Sequence, residues 1–515
     1  MKFILGHDRN QSTIIPISIE ESISQNNEVR LIDMFVDSLD LSDMGFDMKF
    51  EENGRPAYHP KVLLKLYLYG YLNSIRSSRK LEKETKRNIE VMWLLELLSP
   101  DHNTISNFRK DNPKAIKKVF RVTVQMAKHF NLIGGKLIAG DSTKLRAQNS
   151  KQNNFNKKKT QRHLNYIDNK LAEYENALSE ADHDEVESIN KKIIEQKERK
   201  LRYKNIEKQF EQTDEKQVST SDPESRHMFT RGRTTDVAYC VQTTVDSDYK
   251  IPIDYSVTNV GDLNAMGNML RRAKTILRQN EFTALYDKGY HNGSEFKKAN
   301  DLGIDVLVSI PDPASHAPNI EYNLKHFIYN TKGDFYICPE GNHLNTSGTF
   351  YKGKHYDYKH YSTKACMQCL VKQECTNAKV GRTIQRSKYQ DYVDNNKERI
   401  SKDKDYYRQR QAIVEHPYGT IKRQWGFDHI MTKKYKKRAE ADVGFIFIAY
   451  NLRRLISLLS KEELAKYLKE LILLLFNQIY QILLDLRQSK TTNYLYRNFS
   501  QNYYNLLKSS VYIQI

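Results

Sequence analysis

One run of residues limits the fold more than any other. Lys136 to Leu145 reads as a short buried strand carrying Asp141, with Gly134-Gly135 as the turn before it. Strand-like sequence resumes at Ala238 to Val245, turns at Asp246-Ser247-Asp248 and returns from Ile251 to Thr258 as a hairpin. A helix over about 264–279, a strand from Phe282 to Asp287, a helix from Ser294 and a strand from Asp305 to Ile310 follow. Strand, hairpin, helix, strand, helix, strand predicts an α/β fold around one mixed sheet. Asp141 and Asp287 are both expected at the C-terminal ends of strands. Neighbouring strand ends in such a sheet set two carboxylates side by side.

The run is interrupted. From about 153 to 217 the composition turns to Lys, Glu, Asn and Gln. Ile167, Leu171, Tyr174 and Leu178 keep heptad spacing, as do Val186, Ile189 and Ile193. Ala181 to Asp184 marks a bend. A charged helical hairpin inserted over 157–216 is expected, its charges forming a solvated face.

Upstream, residues 1–130 read as helical. Pro60 opens one helix with Val62, Leu63, Leu66, Tyr67, Tyr69 and Leu72 at helical period, and a second is expected from about 78 to 98. Pro100 and Asp101 then turn the chain, and Asn103 is the expected N-cap of a short helix presenting Ser106, Asn107, Arg109 and Lys110. Helix, tight turn and short polar-basic helix suggest a helix-turn-helix reader of DNA, with Ser106, Arg109 and Lys110 as contacts. A small helical bundle with a solvated basic face has the same pattern. Downstream, apolar helices are expected over about 442–459 and 462–486. The tail from Thr491 is rich in Tyr and Asn, and no function is read from it.

Charge narrows the class of partner. The chain has 515 residues and 82 Lys and Arg against 63 Asp and Glu, a formal net charge of +19. The excess is spread along the chain, which points to a polyanion, nucleic acid before anionic membrane. No apolar run reaches the roughly 20 residues of a membrane span. The closest, Leu464 to Leu486, is broken by Lys466, Lys469, Glu470, Asn477 and Gln478. The segment from Met1 to Asp8 meets polar residues too soon for a secretory signal. Five cysteines, four of them in one short region, argue against a disulfide framework. A cytoplasmic protein is expected.

Four of those cysteines fall between about 325 and 385. Cys366 and Cys369 form a CxxC pair, with Cys338 upstream and Cys375 downstream. Thiolates so spaced can clasp a structural Zn²⁺; reduced, buried thiols are the alternative. Cys240, alone in a strand, reads as core.

The carboxylates carry the chemistry. Cutting a phosphodiester needs an activated water and a tolerable leaving oxygen, which two divalent ions about 3.5–4 Å apart provide. Mg²⁺ takes hard oxygen ligands, so a few converging carboxylates suffice. Asp141 and Asp287 are two, and Glu415, on a later helix, is the candidate third.

Three blocks resemble the catalytic blocks of bacterial insertion-sequence transposases of the DDE class. They are Gly140-Asp141-Ser142-Thr143-Lys144, Tyr286-Asp287-Lys288-Gly289-Tyr290 and Val414-Glu415-His416-Pro417-Tyr418-Gly419-Thr420-Ile421-Lys422. The helical stretch from Tyr58 to Lys110 also resembles that group's N-terminal domain. The resemblance implies a ribonuclease H-like core and places the chain near the insertion-sequence-four-like enzymes with a Tyr-Arg-Glu-Lys signature. It implies a helical DNA-binding domain (1–130), a core in two parts (131–325 and 386–455), a cysteine-rich insertion (326–385) and a C-terminal helical region (456–515).

By the same resemblance Asp141, Asp287 and Glu415 would bind Mg²⁺ or Mn²⁺, and Lys144 and Lys422 would meet DNA. Tyr407 and Arg410 keep the signature's mutual spacing but stand one residue too far from Glu415. Arg408, seven residues before Glu415, is an alternative partner. Pro417 is expected to disfavour helix at His416. The implied activity is hydrolysis at the ends of a mobile element, then attack of the freed 3′-hydroxyl on target DNA. The implied partners are double-stranded DNA and a second copy of the chain, in a bacterial nucleoid. A DNA-binding protein that has lost catalysis, a metal-dependent nuclease and an RNA-processing enzyme are the rivals.

Overall fold

The computed structural model describes residues 18–48, 56–212, 215–231, 234–311, 317–353, 356–402 and 404–487. The segment from Met1 to Asp8 and the tail from Thr491 lie outside the described residues. The chain divides into two compact units. One comprises 1–127, 146–227 and 421–515; the other comprises 128–145 and 228–420. Among the described residues no helix is long and apolar enough to cross a membrane.

The first unit is helical. Its centre is the helix Pro60–Leu72, in which every residue from Leu63 to Leu72 is buried. A helix apolar all round must be packed on every side. The Tyr67 ring stacks on Phe445 of the helix Lys436–Leu458 at 4.7 Å, and its hydroxyl donates to the Ile105 carbonyl at 2.6 Å. The stretch read as one helix from 78 to 98 is two, Ser78–Glu84 and Ile89–Leu94. Asn88 separates them because its side chain caps the amides of Glu90 and Val91.

Two expectations about the next helix need correction. Its N-cap is Asp101, whose Oδ1 accepts from the Asn103 and Thr104 amides, and the helix runs His102–Asp111. Arg109 does not face solvent. It is 3% exposed, and its Nη1 donates to Asp442 Oδ1 at 3.2 Å, to the Tyr71 hydroxyl at 2.8 Å and to the Arg76 carbonyl at 3.1 Å. Arg76 Nη2 reaches the other oxygen of Asp442 at 2.7 Å. Arg109 is therefore part of a buried ion cluster.

The charged insertion is the expected hairpin, Lys157–Glu180 and His183–Gln212. Ile167, Leu171 and Ile193 are buried between its helices, with Tyr174, Leu178 and Ile189 against them. Its base closes where Asn154–Phe155 pairs with Val218–Ser219.

The second unit is built on a six-stranded mixed sheet. Its strands are β1 (Leu137–Arg146), β2 (Arg226–Arg231), β3 (Thr234–Asp246), β4 (Pro252–Thr258), β5 (Thr283–Tyr286) and β6 (Asp305–Val308). The order is β2-β3-β1-β5-β6, with β4 on β3. β1 and β5 run parallel, Leu137 opposite Thr283 and Ala139 opposite Leu285; β3 and β4 are the antiparallel hairpin. Leu137, Ala139, Val245, Leu285 and Leu307 form a core with Ile413 and Val414 of the helix Lys404–Gly419. That helix runs through Pro417, against expectation, and then widens into a π turn at Thr420–Gln424.

The cysteine-rich segment holds two small antiparallel sheets. One contains β7 (Ile328–Asn330), β8 (Phe335–Ile337) and β9 (His343–Leu344); the other contains β10 (Tyr351–Lys352), β11 (Asp357–Tyr361) and β12 (Ile384–Ser387). Phe327, Tyr336, Leu344, Tyr361 and Ile384 are their common core.

Candidate active site

The acid pair is assembled by backbone first. Asp141 lies in the middle of β1 rather than at its end, because Ser142 to Arg146 continue the strand. Asp287 directly follows β5 and caps the turn after it, its Oδ1 accepting the Gly289 amide at 2.9 Å. Gly140 lets the two strands meet here: a Cβ on it would collide with the Tyr286 ring. Parallel pairing of β1 with β5 thus brings Asp141, within β1, beside Asp287 at the end of β5.

Arg410 ties them together. Its Nη2 stands 3.2 Å from Asp141 Oδ1 and 3.7 Å from Asp287 Oδ2. Its side chain is 12% exposed, and its Nε is buried without a hydrogen-bond partner. Burial pushes the Asp141 carboxyl up to about 6; Arg410 and the Ser142 amide oppose this, while Asp287 and Asp262 add to it. The Tyr418 hydroxyl donates to the Asp141 carbonyl at 3.2 Å and fixes the strand from the helix side.

A second cation is set beside the pair. Lys144 Nζ lies 2.7 Å from Ser142 Oγ and 3.1 Å from Asp262 Oδ2. Asp262 also accepts from Gln242 Nε2 at 2.7 Å, and Gln242 in turn accepts from the Tyr290 hydroxyl. Asp262 is the carboxylate the sequence did not reveal. It follows the hairpin in a 3-10 turn with no motif around it, and only the folded sheet brings it to Lys144.

The third block behaves differently. Glu415 is exposed, and its Oε1 accepts from Gln411 Nε2 at 2.8 Å. Among the described residues no group of three His, Cys, Asp or Glu side chains is arranged to hold a metal ion. Tyr407 packs against the core of the unit, while Arg408 is turned outward, paired with Asp405 at 2.8 Å and 77% exposed. Arg410, not Arg408, therefore accompanies the acids. Lys422 lies on the π turn, in the helical unit.

Do these residues suit a divalent ion? Asp141 and Asp287 offer hard oxygen donors, and Asp141 is a buried acid short of positive charge. Both features suit Mg²⁺ or Mn²⁺. The cysteines also converge: Cys338, Cys366, Cys369 and Cys375 line one cavity with Phe327 and Leu344. Burial raises the Cys375 thiol; Arg382 opposes this and the other three thiols add to it. Four soft donors around one cavity suit Zn²⁺, although they are not closed into a ligating cluster.

The helical unit contributes a basic groove. Ser106, Arg109 and Lys110 line it with Arg79, His102, Lys433 and Arg438. Arg79, Lys433 and Arg438 escaped the sequence reading because nothing along the chain joins them to the helix His102–Asp111.

Residues 17–111 match the family model described as Transposase domain (DUF772), and residues 337–456 match that described as Transposase DDE domain. These matches support a DDE transposase. The second segment contains Arg410 and Glu415; Asp141 and Asp287 lie outside both. No curated protein matches the chain. Among solved structures there is a match to a piggyBac transposase synaptic complex with hairpin DNA, studied by cryo-EM. It has 10% identity and a TM-score of 0.30, over 93% of this chain and 85% of that chain. So loose a likeness carries no argument.

Proposed function

We propose that the chain is a DNA transposase that binds the ends of an insertion sequence, hydrolyses phosphodiester bonds there and joins the 3′-hydroxyl ends to target DNA. The observation that carries this reading is the pairing of Asp141 with Asp287 around Arg410, in a chain with two transposase-domain segments. Asp141 and Asp287 would hold the divalent ions, with Glu415 completing the set. When bound, the ions supply the positive charge that activates water and stabilises the charge developing on phosphate.

The chain's own groups do the rest. Lys144, oriented by Asp262 and Ser142, offers an ammonium to the phosphate next to the scissile bond. Arg410 holds the two aspartates against their mutual repulsion. Ser106 and Lys110, in the basic groove, hold the duplex by its backbone, and Lys422 adds a further phosphate contact. Tyr407 acts from the core side of the helix that carries Arg410. A ribonuclease H-like core accounts for the strand order. Bringing two ends together calls for two copies of the chain. Zn²⁺ on Cys338, Cys366, Cys369 and Cys375 would brace the insertion.

The test is cleavage of a labelled element end with Mg²⁺ in vitro. Asp141→Ala, Asp287→Ala and Glu415→Ala should each abolish cutting and retain DNA binding. Near-normal cutting by any one removes that residue from the site. A strand-transfer assay on the same material separates a transposase from a nuclease, which yields no joined product.

A further inference from the structure

The sheet of β10, β11 and β12 has two unlike faces. One is closed, because Tyr361 and Ile384 point into the core with Phe327, Tyr336 and Leu344. Side chains alternate along a strand, so the other face carries Tyr351, Tyr358 and His360, with Gln385 and Ser387 on β12. An open sheet face normally bears polar groups. This one bears rings. Tyr351 lies opposite Tyr358, the two stacked at 6.2 Å, and His360 sits edge-on to both at 4.8 and 5.0 Å. Tyr351 remains 43% exposed, Tyr356 in the adjoining turn 47% and Phe350 52%. Gly353 keeps the turn tight over the Tyr358 ring; a Cβ there would strike the Tyr356 carbonyl.

The sequence around these rings is basic. The segment from Thr349 to Lys364 contains Lys352, Lys354, Lys359 and Lys364 against Asp357 alone. Lys359 is anchored by Asp334 at 2.7 Å with its ammonium 5.2 Å from the Phe350 ring centre, and Lys352 is exposed.

We propose that this aromatic face binds single-stranded DNA, the Tyr351–Tyr358–His360 trio stacking unpaired bases. The inference rests on the reading of the chain as a DNA transposase and names the surface that holds a strand once it is unpaired. Flat rings at the surface match the faces of bases, which a duplex hides inside its own stack. The basic sequence around the rings suits a phosphate backbone and neither a basic nor an apolar partner.

The test measures fluorescence anisotropy of a labelled oligothymidylate with the full chain, alongside a labelled duplex. Tyr351→Ala and Tyr358→Ala should each weaken single-strand binding about 5- to 150-fold, the usual worth of one stacked base. Duplex binding should stay unchanged, and Tyr351→Phe should bind the single strand as the parent does. Both tyrosines lie away from the packed face, and a thermal melt of each variant checks that the fold is kept. Unchanged single-strand binding in a folded Tyr351→Ala overturns the proposal. So does equal weakening for both DNAs, which would mean backbone contact without stacking. Asp141→Ala should bind the oligothymidylate normally. Failure of cleavage and failure of this surface are therefore read in separate assays.

Discussion

Two of the clusters in which arginine meets aspartate are balanced in opposite ways. In the helical unit one carboxylate, Asp442, serves two guanidiniums, Arg76 and Arg109, and also accepts the Tyr71 hydroxyl and the Met431 amide. Burial works to raise that carboxyl, but the two arginines win and hold it below the usual aspartate range. In the sheet unit the proportions are reversed: Asp141 and Asp287 share Arg410, and Asp141 stays at about 6. A cluster with surplus positive charge is complete in itself and holds helices together. A cluster with surplus carboxylate is incomplete without a cation. The first kind of cluster suits stability, and the proposed chemistry would lie at the second.

The largest effect should come from breaking the closed cluster. Asp442→Ala strands two buried guanidiniums, and loss of one partner of a buried pair typically costs about 3–5 kcal/mol. Urea unfolding of this variant should show a loss of that size. Asp287→Ala, at a site 38% exposed, should unfold close to the parent while losing cleavage. If the two variants lose stability equally, the contrast between the clusters is wrong.

Acid separates them next, by sign. Asp442, depressed in the folded protein, contributes stability that is present above about pH 4, the unfolded aspartate range. That stability is lost as pH falls through its lower folded value. Asp141 is raised to about 6, so its contribution is full below about pH 4 and is lost as pH rises through 6. In metal-free protein, the melting temperature of Asp141→Asn should therefore gain on that of the parent between pH 5 and 7.5. Added Mg²⁺ should close the gap from the parent's side, because it binds only the folded acid pair. A gap that ignores both pH and Mg²⁺ would mean that Asp141 is an ordinary buried acid.

The contrast also shows what the sequence could convey. The strand order around Asp141 and Asp287 was legible because apolar periodicity and turn residues are local signals. Placing Asp141 at the end of its strand does not hold, since the strand read from Lys136 to Leu145 continues its alternation of burial past the acid. Arg410 was doubted by counting residues to Glu415. A long guanidinium reaches the acids regardless of that count, while the exposed Arg408 does not. Asp262 and the Asp442 cluster were invisible. Each joins residues far apart in the chain, such as Arg109 and Asp442, and no periodicity announces a partner at that distance.

The smallest effect sharpens the comparison most, because it separates neighbours. Arg109 and Lys110 are adjacent basic residues on one short helix and both line the basic groove, but the Arg109 guanidinium is tied to Asp442 in the closed cluster. Lys110→Ala should melt like the parent, and its Nζ contacts with Asn107 and Asp111 are local ones. It should weaken duplex binding across all sequences and lower the slope of log affinity against log salt by about 1, the signature of one lost phosphate contact. Arg109→Ala should instead destabilise the fold, and whatever folded protein remains should keep the parent's salt slope. Salt slope and melting temperature therefore move in different variants if the assignment holds. If Arg109→Ala changes the slope in protein that melts normally, then Arg109 reaches DNA and its burial against Asp442 is not its function.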